Sequence, residues 1–270
     1  MFLPAKKEMK SSTSKSSLGK KYQALMLDVD GTTIENRSDA MPSKKVKDAI
    51  RKANKIIKVG LATSRPFWHV KHIIEDLEIN APCIIIGGAQ IYDPKAKKIV
   101  WEKFIETAAV KEIFKVAKKF KVVIADDGNG KFINNRKINI KDYRKKGPLQ
   151  FWTPALDFKL AEEFAEELSK IPTITALRVP SWEKGKNDVV ISNSLATKQH
   201  GIIEVARLLN ISTKDIIGVG DGYNDFPLLL ACGLKIAMGN ANEELKKIAD
   251  FVAPSVEEDG VATVIEKFIL

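Results

Sequence analysis

The sequence predicts an α/β protein whose core is a doubly wound, Rossmann-like parallel sheet, with an α+β domain inserted into it. Short apolar runs alternate with amphipathic helix patterns at the start of the chain, and the same alternation returns in its last third. Such alternation is typical of a parallel sheet with helices on both faces. Between the two stretches the pattern changes to hairpins and helices, which indicates a separate layer. We therefore predict a basic tail over residues 1–21, a core over 22–87 and 188–270, and an inserted α+β domain over 88–187.

The composition favours a globular protein without a membrane segment. The chain has 270 residues and a formal charge of +10, and no apolar run approaches the ~20 residues that a membrane helix needs. Its two cysteines, Cys83 and Cys232, lie in apolar surroundings without a C-x-x-C pattern, so we expect buried thiols and a cytoplasmic location. The tail at 1–21 is rich in serine and lysine and lacks apolar periodicity, which predicts disorder.

The first predicted strand, Ala24–Leu27, ends in a pair of acids. Asp28 and Asp30 follow this apolar run, and Gly31 and two threonines come next. Because side chains alternate along a strand, the two carboxylates start on the same side. Buried acids need a partner or a bound cation, and ligands bind at this end of a parallel sheet. The stretch predicts a site for a hard cation such as Mg²⁺ together with a phosphate; the alternative is an Asx turn that ends an ordinary strand.

The second strand also ends in polar side chains. A strand at 57–62 leads into Thr63, Ser64 and Arg65, and a helix begins at about Pro66, the first helical position that proline favours. Hydroxyls and an arginine that face a helix N-terminus are suited to phosphate, although an ordinary N-cap uses the same residue types. The other elements predicted in this part of the core are a helix at 43–56 and a strand at 83–86.

The insert is predicted to contain hairpins and helices. An Asp-Gly-Asn-Gly sequence at 127–130 is a strong hairpin signal between strands at 122–124 and 131–133. The other predicted elements are strands at 90–92, 99–101, 173–179 and 189–192, and helices at 108–120 and 158–169.

A basic run spans residues 131–146 of the insert, with seven basic residues and one acid. Two functional interpretations are electrostatic capture of a phosphorylated substrate and a nucleic-acid surface. A solvated, exposed face explains the same pattern and is the interpretation that we favour.

The last third of the chain carries a second pair of acids. A helix at 198–209 begins with Lys198, and a strand at 216–219 leads into Asp221 and Asp225. Because these acids are four residues apart, a helix that starts between them lets both face the end of the strand. The remaining predicted elements are helices at 226–231, 242–248 and 261–268 and strands at 235–238 and 250–252.

The polar residues at these strand ends, in this order, resemble the motifs of the haloacid dehalogenase (HAD) superfamily of phosphohydrolases. The matching residues are Asp28, Asp30, Thr63, Lys198, Asp221 and Asp225. Residues 236–241 and 259–261 extend the likeness, and the insert is similar in size and element type to the class IIB cap of the Cof-type branch. The resemblance implies a HAD core with an α+β cap and the activity of a phosphatase.

The resemblance also implies roles for single residues. Asp28 is similar to the nucleophile that forms an aspartyl-phosphate, and Asp30 resembles the acid/base that protonates the leaving group and then activates water. Thr63 would hydrogen-bond the phosphoryl oxygens, and Lys198 would neutralise both Asp28 and the phosphate. Positive charge near the phosphoryl group stabilises this kind of transfer.

The cofactor that the resemblance implies is Mg²⁺. Its implied ligands are the side chains of Asp28, Asp221 and Asp225 and the main-chain oxygen of Asp30. Further predicted contacts to the substrate are Ser64, Arg65 and Asn224.

Four functions can be weighed against these features. The favoured one is a Mg²⁺-dependent phosphomonoesterase that acts on a small phosphorylated metabolite, with sugar phosphates implied by the family. A phosphomutase with the same nucleophile is the alternative. A phospho-accepting receiver domain would lack both the acid two residues after the acceptor and the large insert, and a nucleic-acid-binding protein would use the basic tail and insert. We expect no specific nucleic acid and no membrane partner, and the oligomeric state stays open.

Overall fold

A computed structural model of the protein describes residues 22–37, 39–126, 133–134, 140–143, 146–181 and 183–270. The strands in these residues are β1 (Ala24–Leu27), β2 (Lys58–Leu61), β3 (Cys83–Ile85), β4 (Gln90–Asp93), β5 (Lys98–Glu102), β6 (Ala125–Asp126), β7 (Ile133–Asn134), β8 (Gln150–Leu156), β9 (Ile174–Pro180), β10 (Asn187–Asn193), β11 (Ile216–Gly220), β12 (Leu234–Ala237) and β13 (Phe251–Val252). The α-helices are α1 (Lys44–Ala53), α2 (Phe67–Asp76), α3 (Thr107–Phe120), α4 (Phe158–Ser169), α5 (Lys198–Leu209), α6 (Phe226–Ala231), α7 (Glu243–Ile248) and α8 (Gly260–Phe268).

The core sheet has the strand order β13-β12-β11-β1-β2, and all its neighbours are parallel. Side chains of β1 alternate between two apolar clusters: Leu25 and Leu27 pack on one face, and Ala24 and Met26 on the other. The first cluster includes residues of α1, α2 and α8, and the second includes residues of α5, α6 and α7. Helices thus cover both faces, and the predicted doubly wound α/β fold is confirmed.

The central position of β1 determines where the polar loops meet. Leu27, the last residue of β1, lies opposite Val219 of β11 and Leu61 of β2. The loops that follow these three strands therefore leave the sheet at one edge. This edge is where parallel sheets bind ligands.

Strand β3 joins the core sheet through a single parallel bridge between Ile84 and Ala62. Its main pairing is antiparallel, with β4, which in turn pairs with β5. The predicted hairpin at 90–101 is therefore present, and Ile91 packs in the core cluster that contains Ile84. The domain limits at residues 88 and 187 stay a prediction.

The insert contains a second sheet, antiparallel, with the order β7-β6-β8-β10-β9. Helices α3 and α4 pack on one face of it around the buried rings of Phe151 and Phe164. The predicted strand at 122–124 is wrong, because these residues form no strand and the pairing begins only at Ala125. The hairpin turn at 127–130, the tail at 1–21 and most of the basic run lie outside the described residues.

Strand β8 has no counterpart in the prediction. It contains Pro154, and Ala155 has a positive φ of 54°. Proline cannot donate a hydrogen bond to a neighbouring strand, so its presence in the sequence argues against a strand. The strand nevertheless pairs with β6 on one side and with β10 on the other.

The start of α5 is held against the end of β3. Thr197 caps the helix by accepting a hydrogen bond from the backbone N–H of His200. Gly88 has a φ of 115°, and a Cβ there would lie 2.3 Å from the carbonyl carbon of Thr197. Only glycine permits this approach, which fixes the position of the next residue, Lys198. Within the part of the chain that the structure describes, no helix combines the length and the apolarity needed to cross a membrane.

Candidate active site

Three carboxylates meet at the edge of the sheet where β1 and β11 end. Asp28 follows β1, Asp221 follows β11, and Asp225 lies one helical turn further on, in the 3₁₀ turn Tyr223–Asp225. One oxygen from each of the three lies within 4.8 Å of the others. Asp28 and Asp225 are buried, and Asp221 is partly exposed. An all-oxygen donor set of this kind is the one that hard divalent cations prefer.

Lys198 is the positive partner of two of these acids. Its Nζ lies 2.6 Å from Asp28 Oδ1 and 2.6 Å from Asp225 Oδ1, and its side chain is 2% exposed. A buried lysine at the first position of a helix is disfavoured by desolvation and by the helix dipole. The two carboxylates compensate for both effects, so the ammonium group is held where it faces Asp28.

The cluster as a whole is short of positive charge. Three acids face one lysine, and burial together with the nearby Asp225 raises the pKa of Asp28 well above its usual range, against the opposing effect of Lys198. Burial and Asp225 also raise the pKa of Asp221 to about 6. Burial acts to lower the pKa of Lys198, but Asp225 and Asp28 outweigh it and raise that pKa. A divalent cation among these oxygens would supply the missing charge, so the residues present fit Mg²⁺.

Neutral groups orient Asp221. The hydroxyl of Thr32 donates to Asp221 Oδ1 at 2.8 Å, and the side-chain amide of Asn240 lies 3.5 Å from Oδ2. Gly31, with a φ of 77°, has no room for a side chain because a Cβ there would lie 2.3 Å from Asp221 Oδ2. The carboxylate is thereby held between the loop that follows β1 and the side chain of Asn240.

The two loops are also fixed through their backbones. Asp225 Oδ2 accepts hydrogen bonds from the N–H groups of Asp221 and Gly222, at 3.0 and 2.9 Å. Thr33 donates its hydroxyl to the carbonyl of Asp28 at 2.6 Å. These contacts hold the carboxylates in place without using the oxygens of Asp28 and Asp225 that face Lys198.

Asp30 lies outside the group of three acids, paired with Arg65. Arg65 Nε donates to Asp30 Oδ2 at 2.9 Å, and Nη2 donates to Oδ1 of the same carboxylate. The Arg65 side chain is 5% exposed, and its Nη1 has no hydrogen-bond partner among the described residues. Arg65, predicted as a substrate contact, thus meets the predicted acid/base directly and keeps one donor unused.

The other predicted substrate residues lie on the same edge. Thr63 is buried, and its Oγ1 accepts the backbone N–H of Arg65 at 3.0 Å. The side-chain amide of Asn224 approaches Ser64 Oγ at 3.4 Å, which connects the loops after β2 and β11. The structure therefore brings together residues that are far apart in the chain, such as Asp28 and Lys198, which are separated by 170 positions.

Two residues of the site were absent from the predicted set. Thr32 belongs to the D-x-D-G-T stretch, and Asn240 lies in the Gly-Asn-Ala stretch after β12. Each contacts Asp221 from a different loop. Both stretches were visible in the sequence, but only the fold shows that they converge on one carboxylate.

Comparison with known proteins identifies the family. Residues 25–265 match the family of haloacid dehalogenase-like hydrolases, so the chain belongs to it. It is 25% identical over 248 residues to the 5-amino-6-(5-phospho-D-ribitylamino)uracil phosphatase YcsE of Bacillus subtilis (strain 168), an alignment that covers 91% of this chain and 95% of that protein.

Solved structures share the whole fold. BT1666 from Bacteroides thetaiotaomicron, a phosphatase of the same superfamily, superposes with a TM-score of 0.83 at 23% identity and covers 95% of this chain and 99% of its own. The subclass IIB sugar phosphatase BT4131 superposes with a TM-score of 0.75 at 21% identity, with coverages of 91% and 98%. The predicted membership among Cof-type HAD phosphatases, and with it the assignment as an enzyme, is confirmed.

Proposed function

We propose that the protein is a Mg²⁺-dependent phosphomonoesterase that hydrolyses small phosphorylated metabolites through an aspartyl-phosphate on Asp28. The observation that carries this proposal is the charge imbalance of the buried site, in which Asp28, Asp221 and Asp225 face the single ammonium group of Lys198. A site that is deficient in positive charge and open at a sheet edge is suited to a divalent cation that brings a phosphate with it.

Asp28 is the proposed nucleophile. Its carboxylate attacks phosphorus, the bond to the leaving oxygen breaks, and water later hydrolyses the acyl phosphate that has formed on Asp28. Lys198 already contacts Asp28 and would neutralise the phosphoryl oxygens, while Thr63 would donate its hydroxyl to one of them. When bound, Mg²⁺ would supply further positive charge to the nucleophile and the phosphate through Asp28, Asp221 and Asp225.

Asp30 is the proposed acid/base. It protonates the leaving oxygen in the first step and takes a proton from water in the second. Arg65 holds this carboxylate through two donors, Nε and Nη2, and is itself a proposed contact to the substrate. Ser64 and Asn224, which approach each other at 3.4 Å, are the further proposed contacts to the substrate.

Sugar phosphates and polyol phosphates are the proposed substrate class. YcsE is a phosphatase whose named substrate carries a phosphoribityl group, and BT4131 is a sugar phosphatase. The free, buried thiols of Cys83 and Cys232 agree with the proposed cytoplasmic location.

The test is phosphate release from a panel of sugar phosphates, ribitol 5-phosphate, pyridoxal phosphate and phosphoglycolate. Each is assayed with Mg²⁺ and with EDTA, for the wild type, for Asp28→Asn and for Asp48→Asn, a matched change at an exposed aspartate. We expect activity that requires Mg²⁺, is retained in Asp48→Asn and falls at least about a thousandfold in Asp28→Asn, since the attacking group is removed.

Two outcomes would contradict the proposal. Full activity of Asp28→Asn would exclude the aspartyl-phosphate. Isomerisation of a sugar phosphate in the presence of an activating bisphosphate, without release of phosphate, would identify a phosphomutase instead.

A further inference from the structure

The three acids of the site have different kinds of partner. Asp28 and Asp225 share the charged Nζ of Lys198, at 2.6 Å from each. Asp221 has no cation within bonding distance among the described residues, and its carboxylate meets the neutral side chains of Thr32 and Asn240. It is therefore oriented without being neutralised.

Asn240 connects three loops through one side chain. Its Nδ2 donates to the carbonyl of Gly31 at 2.8 Å and lies 3.5 Å from Asp221 Oδ2, and its Oδ1 accepts the backbone N–H of Val256 at 3.0 Å. The loop after β1, the loop after β11 and the segment before α8 are thus held to each other at Asn240. Because both polar atoms of the Asn240 side chain form hydrogen bonds, the orientation of its amide is fixed.

Asp221 is also held at its other carboxylate oxygen and at its main-chain carbonyl. Thr32 is 1% exposed, and its hydroxyl donates to Oδ1 at 2.8 Å. The main-chain carbonyl of Asp221 accepts from the backbone N–H of Asn242 at 3.3 Å and from its side-chain amide at 3.4 Å. Asp221 is held at both carboxylate oxygens and at its carbonyl.

We infer that Thr32 and Asn240 are positioning residues for the cation site: they hold the Asp221 carboxylate in a ligating orientation while leaving its charge for the metal. This inference rests on the proposed Mg²⁺ site. A lysine or arginine in either place would orient Asp221 equally well but would neutralise it and compete with the cation. Neutral donors that orient a metal ligand generally account for a 10–100-fold difference in metal affinity.

The experiment is isothermal titration of Mg²⁺, repeated with Mn²⁺, into the metal-free protein. The variants are Thr32→Val, which removes the hydroxyl at nearly constant volume, Thr32→Ser, which restores it, and Asn240→Ala. Asn210→Gly, at the exposed end of α5, is the control, because glycine tolerates the positive φ of 54° at this position. We expect the Kd for Mg²⁺ to rise 10–100-fold in Thr32→Val and Asn240→Ala and to stay within about threefold of the wild type in Thr32→Ser and Asn210→Gly.

Steady-state kinetics separate positioning from a general structural role. At saturating Mg²⁺ the kcat of Thr32→Val should return to within a few-fold of the wild type, because the cation itself then orders Asp221. Thr32→Val leaves the contact between Asn240 and Val256 intact, so it remains informative if Asn240→Ala does not fold. A Kd that is unchanged in Thr32→Val overturns the inference, whereas a wild type that binds no Mg²⁺ overturns the proposed function itself.

Discussion

Two buried aspartates, one in the core and one in the inserted sheet, differ in the groups that surround their carboxylates. Asp188 of β10 is 4% exposed, and both of its oxygens are satisfied: Oδ1 by the N–H of Ala155 at 2.8 Å and Oδ2 by the indole N–H of Trp152 at 2.9 Å. Asp28 is 5% exposed but shares its one cation with Asp225. Burial of an acid alone therefore does not mark a functional site; what distinguishes Asp28 is that Asp221 and Asp225 lie beside it and the group of three carboxylates has one lysine.

The difference has a physical origin. A carboxylate that accepts well-placed hydrogen bonds within a sheet is a structural element, and its loss leaves unpaired donors. A group of carboxylates that exceeds its cations is stable only because the surrounding fold holds it together, and it is therefore ready for a ligand that supplies charge. Each prediction below tests one side of this contrast.

Replacing Lys198 should have the largest effect. In Lys198→Met, Asp28 and Asp225 remain buried without their shared cation, and breaking a buried ion pair from one side costs about 3–5 kcal/mol. We expect a loss of that size in the free energy of unfolding, measured by urea denaturation in EDTA, together with loss of phosphatase activity. Lys115→Met, at an exposed position of α3, is the control. A stability within 1 kcal/mol of the wild type would show that the cluster does not depend on Lys198.

The pH dependence of the metal-free protein should show the uncompensated charge. The pKa of Asp221 is raised to about 6 in the folded state, so its ionised form opposes folding above that pH. The metal-free protein should become more stable as the pH falls from 8 through 6 toward 4, by on the order of 3 kcal/mol from this residue.

This dependence is measured as the difference in Tm between the wild type and Asp221→Asn in EDTA. Asp221→Asn cannot titrate at that position, so its Tm advantage over the wild type should be full above about pH 6, shrink as the pH falls below that value and vanish near about pH 4. With saturating Mg²⁺ the wild type should instead gain Tm as the pH rises, because the cation binds the ionised carboxylate. An equal Tm difference at pH 5 and pH 8 in EDTA would contradict the raised pKa.

Much of the core was predictable because its signals are local. Apolar runs that end in Asp28 and Asp221 mark strand ends, and the parallel sheet brings those ends to one edge. The contacts of Thr32 and Asn240 with Asp221 were not predictable, because they join distant parts of the chain. Thr32 is separated from Asp221 by 189 positions and Asn240 by 19.

In the insert, the helices were predictable from the sequence and the strands were less so. Helix α4 has the predicted bounds, since an apolar stripe of period 3.6 is a strong signal. Strand β8 was missed because Pro154 argues against a strand in the sequence, although the strand pairs with a neighbour on each side. The pairing of Arg65 with Asp30 was also not predicted, because the motifs indicated a substrate contact for Arg65 and an acid/base role for Asp30.

Replacing Asp188 should have the smallest effect, and on stability alone. In Asp188→Ala the indole N–H of Trp152 and the N–H of Ala155 each lose a hydrogen bond to the carboxylate, and two hydrogen bonds together contribute about 1–3 kcal/mol. We expect the free energy of unfolding to fall by that amount while the Kd for Mg²⁺ stays within about twofold of the wild type, because Asp188 contributes to no part of the charge deficit. If Asp188→Ala weakened Mg²⁺ binding as strongly as Thr32→Val, the cation site would depend on the inserted sheet. The contrast between Asp188 and Asp28 would then be wrong.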